Sequence, residues 1–147
     1  MKIVVGDLWK VKADFKGIPT NGCVTKTGKA VMGKGVALQA KQKFPGIDLA
    51  LGMAINSGGN RLHLLVEYDL FSFPTKHDWR NPSDIELIKQ SIMELENLAE
   101  EMQHRIFAIP LPGTGAGGLE AGDVWPLLEE LPDNVIVVVQ NKFLEEV

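Results

Sequence analysis

The sequence is poor in the residues that build disulfides and metal sites. It has one cysteine, Cys23, and three histidines among 147 residues. A single cysteine excludes a disulfide within the chain and favours a reducing compartment. No His, Cys and carboxylate cluster has the spacing of a zinc site, and no Ser–His–Asp set can be argued. We therefore expect neither a metal ion nor a cofactor.

Strong charge and long apolar runs are also lacking. The net charge of −4 gives no general attraction to nucleic acid or anionic membrane, so any basic site must be local. No apolar run approaches the roughly 18 residues that cross a bilayer, and the start, MKIVVGDLWK, has no basic-then-apolar signal pattern. We expect no membrane partner and a cytoplasmic location, in the host cytoplasm if the gene is viral.

The sequence does contain short apolar runs that alternate with longer amphipathic ones, in a length that suits one domain over residues 1–147. Strands are predicted at residues 1–5, 17–20, 62–68, 70–74, 105–111 and 135–140. Helices are predicted at residues 36–44, 47–55, 83–103 and 123–131. In the third helix Ser83 and Glu86 have the spacing of a capping box. The alternation predicts a layered α/β fold with helices on both faces of a mixed sheet.

Two glycine-rich loops stand where a strand or loop leads into a helix. Residues 28–36, GKAVMGKGV, fit G-x-x-x-x-G-K, but Gly35 replaces the Ser or Thr with which a nucleotide triphosphatase binds Mg²⁺. Residues 113–118, GTGAGG, match a dinucleotide fingerprint formally, but too little chain follows for that fold. Either loop could be a tight surface turn. Together their backbone N–H groups favour a ligand that carries a diphosphate.

The segment FSFPTKHDWR, which ends at Arg80, leaves a predicted strand and crowds charged and aromatic side chains into one loop. Lys76 is a candidate nucleophile if burial or a neighbouring cation lowers its pKa. The alternatives are that Lys76 is an ordinary solvated lysine, that Trp79 covers the core, and that Arg80 pairs with Asp78 or Asp84. Loops carry function more often than cores do, which favours a site here.

Five motifs in order resemble those of macro domains, an ADP-ribose-binding family with a three-layer α/β/α fold and a central mixed sheet. They are Gly6-Asp7, PTNGCV at 19–24, VMGKGVAL at 31–38, FPTKHDW at 73–79 and LPGTGAGGL at 111–119. The closest group contains terminal ADP-ribose glycohydrolases, the antitoxin that removes ADP-ribose from DNA thymidine, and short macro proteins of phage and bacteria. The resemblance implies a single macro domain over residues 1–147.

The resemblance also implies site residues. Asp7 would meet the adenine, the first glycine loop would hold the α-phosphate and distal ribose, and the second would wrap the diphosphate. The residues implied to bind ADP-ribose are Asp7, Leu8, Asn21, Met32, Gly33, Lys34, Gly35, Val36, Thr75, Pro112, Gly113, Thr114, Gly115, Ala116, Gly117, Gly118 and Leu119. Lys76 is the implied catalytic residue, because a lysine at its position attacks or polarises the anomeric carbon in the glycohydrolases. Asn21, near the distal ribose, is the second catalytic candidate.

One departure from the family pattern bears on mechanism. The human terminal glycohydrolase has an Asp in its second loop that releases the lysine adduct, and Gly117 stands there in this chain. This favours a mechanism that relies on Lys76 alone, or on a water held by Asn21 and the backbone. The expected function is removal of ADP-ribose from protein carboxylates or DNA bases, with nucleic acid a partner only as modified substrate. An ADP-ribose 1″-phosphate phosphatase and a non-catalytic ADP-ribose reader remain as alternatives.

Overall fold

A computed structural model describes residues 1–114 and 117–140 of the protein. The strands are β1 Lys2–Val5, β2 Phe15–Thr20, β3 Leu64–Leu65, β4 Leu70–Pro74, β5 Phe107–Pro110 and β6 Val135–Val139. The helices are α1 Gly35–Lys43, α2 Ile47–Gly58, α3 Ile85–Glu101 and α4 Ala121–Leu128. Within the described ranges the strands form one sheet in the order β1-β6-β5-β2-β4-β3. The predicted domain boundary at residue 147 lies outside those ranges and stays a prediction.

The sheet is mixed, as predicted. β3 pairs antiparallel with β4, whereas the other neighbouring strands pair in parallel. β6 is the uninterrupted β-branched run VIVVV, and four of its five residues are buried. Parallel strands covered on both faces have this composition because neither face meets water. β1, at the edge, is exposed along its whole length.

Helices cover both faces of the sheet and give three layers. On one face α3 and α4 pack on the larger core, which contains the fully buried rings of Phe71, Phe73 and Phe107. Burial of each such side chain contributes roughly 1.5–3 kcal/mol. On the other face α1 and α2 pack around Ile18 and Leu70. No helix in residues 1–114 and 117–140 is long and apolar enough to cross a membrane.

Two predicted elements are corrected by the structure. The predicted strand at 62–68 is only the short β3, because Val66–Tyr68 forms a 3₁₀ turn that ends at Asp69 in the left-handed conformation (φ 54°). The predicted capping box at Ser83 is wrong. α3 begins one residue later than that box requires, and the carboxylate of Asp84 accepts the hydrogen bond from the amide of Glu86. A charged acceptor suits the positive end of a helix better than a hydroxyl does.

Candidate functional site

The carboxyl ends of four adjacent strands open into one cavity of about 510 Å³. This volume lies within the range of pockets that hold small molecules and cofactors. The walls come from the ends of β2, β4, β5 and β6, from the first glycine loop, and from the second glycine loop at Gly113, Thr114 and Gly117. The fold therefore brings together two glycine loops that are about eighty residues apart in sequence.

The first glycine loop is shaped by Asn21, at the end of β2. Asn21 Nδ2 donates to the carbonyl oxygen of Val31 at 3.0 Å, and Asn21 Oδ1 accepts from the amide of Cys23 at 2.9 Å. Among the described residues nothing else bonds to this side chain, so one amide hydrogen and one lone pair are available to a ligand. Its predicted catalytic role stays a prediction, but its contribution to the shape of the loop is visible in these two bonds.

The same loop ends at the N-terminus of α1. Lys34 is the N-cap and makes no side-chain capping bond within the described residues, so the first N–H groups of the helix are available to an anion. Gly33, Lys34 and Gly35 are exposed, and Gly35 has φ +55°. Nothing lies within 4 Å of the point where a Cβ at Gly33 or Gly35 would stand. Space therefore remains beside the backbone at both glycines.

Lys76 lies in the cavity wall directly after β4, and its backbone is fixed on two sides. Its amide donates to the carbonyl oxygen of Thr20 at 3.3 Å, beside a bond from Thr75 to the same oxygen at 3.0 Å. Its carbonyl oxygen accepts from Asn60 Nδ2 at 3.0 Å. Asn60 follows α2 and was missed by sequence analysis, although an Asn after the glycine pair SGGN is typical of a loop with side-chain bonds to backbone.

His77 and Asp84 connect this segment to α3. His77 Nε2 lies 2.7 Å from Asp84 Oδ2, and the amide of Asp84 donates to the carbonyl oxygen of Thr75 at 2.9 Å. The hydrogen bond from His77, together with the amide of Glu86, lowers the pKa of the Asp84 carboxyl below its usual value. The loop that carries Lys76 is thus held by β2, by the end of α2 and by the start of α3.

The second glycine loop packs closely against α3. A Cβ at Gly113, where φ is +77°, would come within 2.7 Å of Ile88 Cδ1 and 2.8 Å of Leu119 Cδ1. The amide of Leu119 donates to the carbonyl oxygen of Gly113 at 2.9 Å. Ser83 lies beside this loop, lines the cavity, and buries an Oγ that has no hydrogen-bond partner among the described residues. Sequence analysis missed this role of Ser83 because it treated the residue as a helix cap.

The predicted ligand residues fall into three groups. Those that line the cavity are Asn21, Met32, Gly33, Lys34, Gly35, Val36, Thr75, Lys76, Gly113, Thr114 and Gly117. Those described but not among its lining residues are Asp7, Leu8, Pro112, Gly118 and Leu119. Gly115 and Ala116 lie outside the described residues.

The residues off the cavity wall have visible structural contacts. Asp7 Oδ1 accepts from the amide of Trp9 at 3.0 Å and caps the 3₁₀ turn Leu8–Lys10. Leu8 is buried with Ala108 and Val138, and Val138 itself lines the cavity. Their predicted contacts with the ligand stay predictions. No three His, Cys, Asp or Glu side chains in the described ranges converge to hold a metal ion.

Trp79 does not cover the core, which corrects one of the alternatives given for it. Its side chain is 51% exposed and lines the cavity near Lys76. Arg80 pairs with Asp78 rather than Asp84, through Nε–Oδ1 at 3.0 Å and Nη2–Oδ2 at 2.7 Å. This pairing lowers the pKa of the Asp78 carboxyl and raises the pKa of the Arg80 guanidinium.

Comparison with known proteins assigns the family. No family model matches the chain. It is 36% identical over 109 residues to a DNA ADP-ribosyl glycohydrolase of Thermus aquaticus, an alignment that covers 68% of this chain and 29% of the relative. It is 32% identical over 142 residues to a DNA ADP-ribosyl glycohydrolase of Mycobacterium tuberculosis, with 87% and 38% covered. The chain spans about a third of the length of these curated relatives.

A solved structure matches over nearly the whole chain. The macrodomain of Thermus aquaticus DarG superposes with a TM-score of 0.76 and 31% identity, covering 95% of this chain and 97% of that one. The predicted family and its three-layer fold with a mixed sheet are confirmed by this match. The chain belongs to the macrodomain family, and within it to the DarG type.

Proposed function

We propose that the protein binds ADP-ribose in the 510 Å³ cavity and removes it from modified DNA bases. The observation that carries the proposal is that the two glycine loops, with their backbone N–H groups, and Lys76 lie in the wall of one cavity. Relatives named DNA ADP-ribosyl glycohydrolase support DNA as the substrate in preference to protein carboxylates. A cytoplasmic setting is part of the proposal and is supported by the unpaired, half-buried Cys23.

The two glycine loops would hold the diphosphate. The N–H groups at the start of α1, which the N-cap side chain does not bond within the described residues, and the backbone of the second loop offer partial positive charge without the cost of burying an extra ion. Cleavage of a glycosidic bond builds positive charge on C1″ of the distal ribose. A diphosphate fixed nearby stabilises that charge, and such preorganised electrostatics is usually the largest catalytic contribution.

Lys76 would act as the nucleophile and the proton donor. Its amine attacks C1″ and gives a proton to the leaving base, while the electron pair of the C1″–base bond stays on the base. Water then attacks C1″ as the C1″–Nζ bond breaks, the electron pair of that bond stays on the lysine nitrogen, a proton from the water restores the amine, and ADP-ribose is released. Gly117 supplies no side chain for the second step, so the water must be held by other groups, and Asn21 keeps one lone pair and one N–H that no described residue uses.

The test is a panel of modified substrates assayed with wild type, Lys76→Ala and Lys76→Arg. We expect release of ADP-ribose from a single-stranded oligonucleotide modified on thymidine, and a loss of at least about 100-fold in Lys76→Ala. The dissociation constant for ADP-ribose should change by less than about threefold in Lys76→Ala, because backbone groups provide most of the binding.

Other members of the panel decide between the functions. Glutamate-linked protein, arginine-linked protein and ADP-ribose 1″-phosphate are assayed beside the oligonucleotide. Tight ADP-ribose binding without any product would make the protein a reader. Phosphate release alone would make it a phosphatase. Full turnover by Lys76→Ala would remove Lys76 from the mechanism.

A further inference from the structure

Trp79 is the one aromatic residue among the exposed large hydrophobic residues of the described chain. Its indole is 51% exposed, yet it belongs to the wall of the main cavity. An exposed aromatic at a cavity mouth is costly to leave in water and is enriched where proteins bind other molecules. The proposed contacts to ADP-ribose do not use this side chain.

Trp79 is held in place by the residues on either side of it. Arg80 Cζ lies over the indole, 5.6 Å from the ring centroid. The guanidinium is itself fixed by the two bonds to the carboxylate of Asp78, and the amide of Asn81 closes the turn onto the carbonyl oxygen of Asp78 at 3.1 Å. A cation therefore lies over one face of the ring and restricts the indole before a ligand meets the other face.

The sheet order locates the loop that carries Lys76 and Trp79 within the cavity wall. Strands β6, β5, β2 and β4 contribute to the wall in that spatial order. Val138 and Gln140 stand at the β6 end, whereas Lys76 and Trp79 follow β4 at the other end. A ligand whose reacting carbon lies beside Lys76 and whose body extends towards β6 would present its leaving group to the loop that carries Trp79.

We infer that Trp79 is a stacking platform for the nucleobase from which ADP-ribose is removed. The inference rests on the proposed function and names the part of the substrate beyond ADP-ribose that the protein recognises. Bases stack on aromatic side chains because both are flat and polarisable, and each such contact is worth about 1–3 kcal/mol. A glutamate leaving group has no ring to stack.

The platform selects a single-stranded or unpaired base. In a duplex both faces of a base are covered by its neighbours, and a base must leave the stack before it can lie on a protein side chain. The net charge of −4 argues against recognition of DNA through a broad basic surface. A local aromatic contact can recognise the base without such a surface.

The test compares Trp79→Ala and Trp79→Phe with wild type on a single-stranded oligonucleotide carrying ADP-ribose on thymidine. Trp79→Ala should lower kcat/KM by about 5- to 150-fold, which is 1–3 kcal/mol at 1.4 kcal/mol per decade. Trp79→Phe should retain most of the activity because it keeps an aromatic face. Met93→Ala is the matched control, since Met93 is 56% exposed and lies on α3 away from the cavity wall.

Two further readouts separate this inference from the proposed function. The dissociation constant of ADP-ribose alone should change less than about twofold in Trp79→Ala, because the stacking contact is made by the base. In a Lys76→Ala background, which holds the substrate without turning it over, the modified oligonucleotide should bind more tightly than ADP-ribose, and Trp79→Ala should abolish that difference. This binding comparison applies even if wild type shows no turnover.

Three results would overturn the stacking role. One is an equal loss of ADP-ribose affinity in Trp79→Ala, which would place Trp79 in the ADP-ribose site. Another is an oligonucleotide affinity that does not depend on Trp79. The third is an equal loss of turnover on a glutamate-linked peptide, which would assign the effect to cavity shape or to a protein substrate.

Discussion

The amide of Ser83 donates a hydrogen bond to the carbonyl oxygen of Gly117 at 2.9 Å, and Ser83 Oγ occupies the space that any side chain at position 117 would need. The second glycine loop is thus packed against the start of α3 by a pair of residues that are 34 positions apart in sequence. A side chain at position 117 therefore requires Ser83 to change its rotamer or the loop to shift.

This packing predicts that Gly117→Ala is destabilising and that Ser83→Gly relieves the effect. The added methyl group collides with Ser83 Oγ, and overpacking of this kind costs about 1–3 kcal/mol. In the double variant the hydroxyl is gone, so the loss should be smaller than the sum of the single losses. A double-mutant cycle on the free energy of unfolding and on ADP-ribose affinity measures the coupling. Strictly additive losses would mean that the two residues do not compete for space.

Gly33→Ala separates ligand approach from protein stability. Nothing lies within 4 Å of the point where its Cβ would stand, and Gly33 is not among the glycines with positive φ. The melting temperature should therefore change by no more than about 2 °C, the equivalent of a few tenths of a kcal/mol. ADP-ribose affinity should fall by about tenfold or more if the ligand lies against this backbone, because the methyl group takes the place of a phosphate or ribose contact.

Gly52→Ala is the contrasting control for that experiment. Its Cβ would collide with the carbonyl oxygen of Gly28, and a backbone atom cannot rotate away. Gly52→Ala should therefore lose stability by more than about 1 kcal/mol, through the contact between α2 and Gly28 at the start of the first glycine loop. Unchanged affinity in a stable Gly33→Ala protein would contradict the assignment of this loop to the ligand.

Sequence patterns were sufficient where one local property decides the structure. The VIVVV run predicts β6 because a continuous β-branched segment fits a strand that is buried on both faces. The two glycine loops predict a shared position at one edge of the sheet because both precede helices in an α/β fold, and residues of both loops line one cavity. Neither pattern predicts the sheet order, because that order depends on which helices cover which face. The sheet order brings residues 33 and 113 to one cavity.

Side-chain partnerships across the fold could not be predicted from sequence. Ser83 and Asp84 are both good caps, and the carboxylate of Asp84 takes the role because it also meets His77. Asn60 lies 16 residues from Lys76 and contacts it only because α2 ends beside the loop after β4. Trp79 has the hydrophobicity of a core residue, and its exposure follows from the tight turn that Asp78 and Arg80 form around it.

Asn60→Asp tests whether the backbone of Lys76 must be fixed for turnover. The substitution keeps the shape of the side chain but replaces the donor to the Lys76 carbonyl with an acceptor, which leaves a part-buried group unsatisfied and costs about 1–3 kcal/mol of stability. We expect kcat to fall by about tenfold or more, since a displacement near 1 Å at a reacting group has large effects. The dissociation constant for ADP-ribose should be nearly unchanged.

Asn134→Asp is the matched control for Asn60. Asn134 Nδ2 also donates to backbone carbonyls, those of Ala99, Met102 and Arg105, but at the end of α3 away from the cavity. The Asn134→Asp variant should have a lower free energy of unfolding but an unchanged kcat, when both variants are assayed at a temperature where they are folded. Equal effects of the two variants on kcat would mean that Asn60 supports the fold and does not position Lys76.

The His77–Asp84 pair predicts how stability responds to acid. The hydrogen bonds from His77 and from the amide of Glu86 lower the pKa of Asp84 in the folded protein, so ionised Asp84 favours folding. This contribution is fully present above the unfolded-state pKa of about 3.9 and is lost as the pH falls through the lower, folded-state value.

Asp84→Asn keeps an effective helix cap but removes the charge. The free energy of unfolding, measured by urea titration, should therefore be higher for wild type than for Asp84→Asn at neutral pH, and the two should converge below about pH 4. A difference that stays constant as the pH falls through the titration of Asp84 would show that the carboxylate charge contributes nothing.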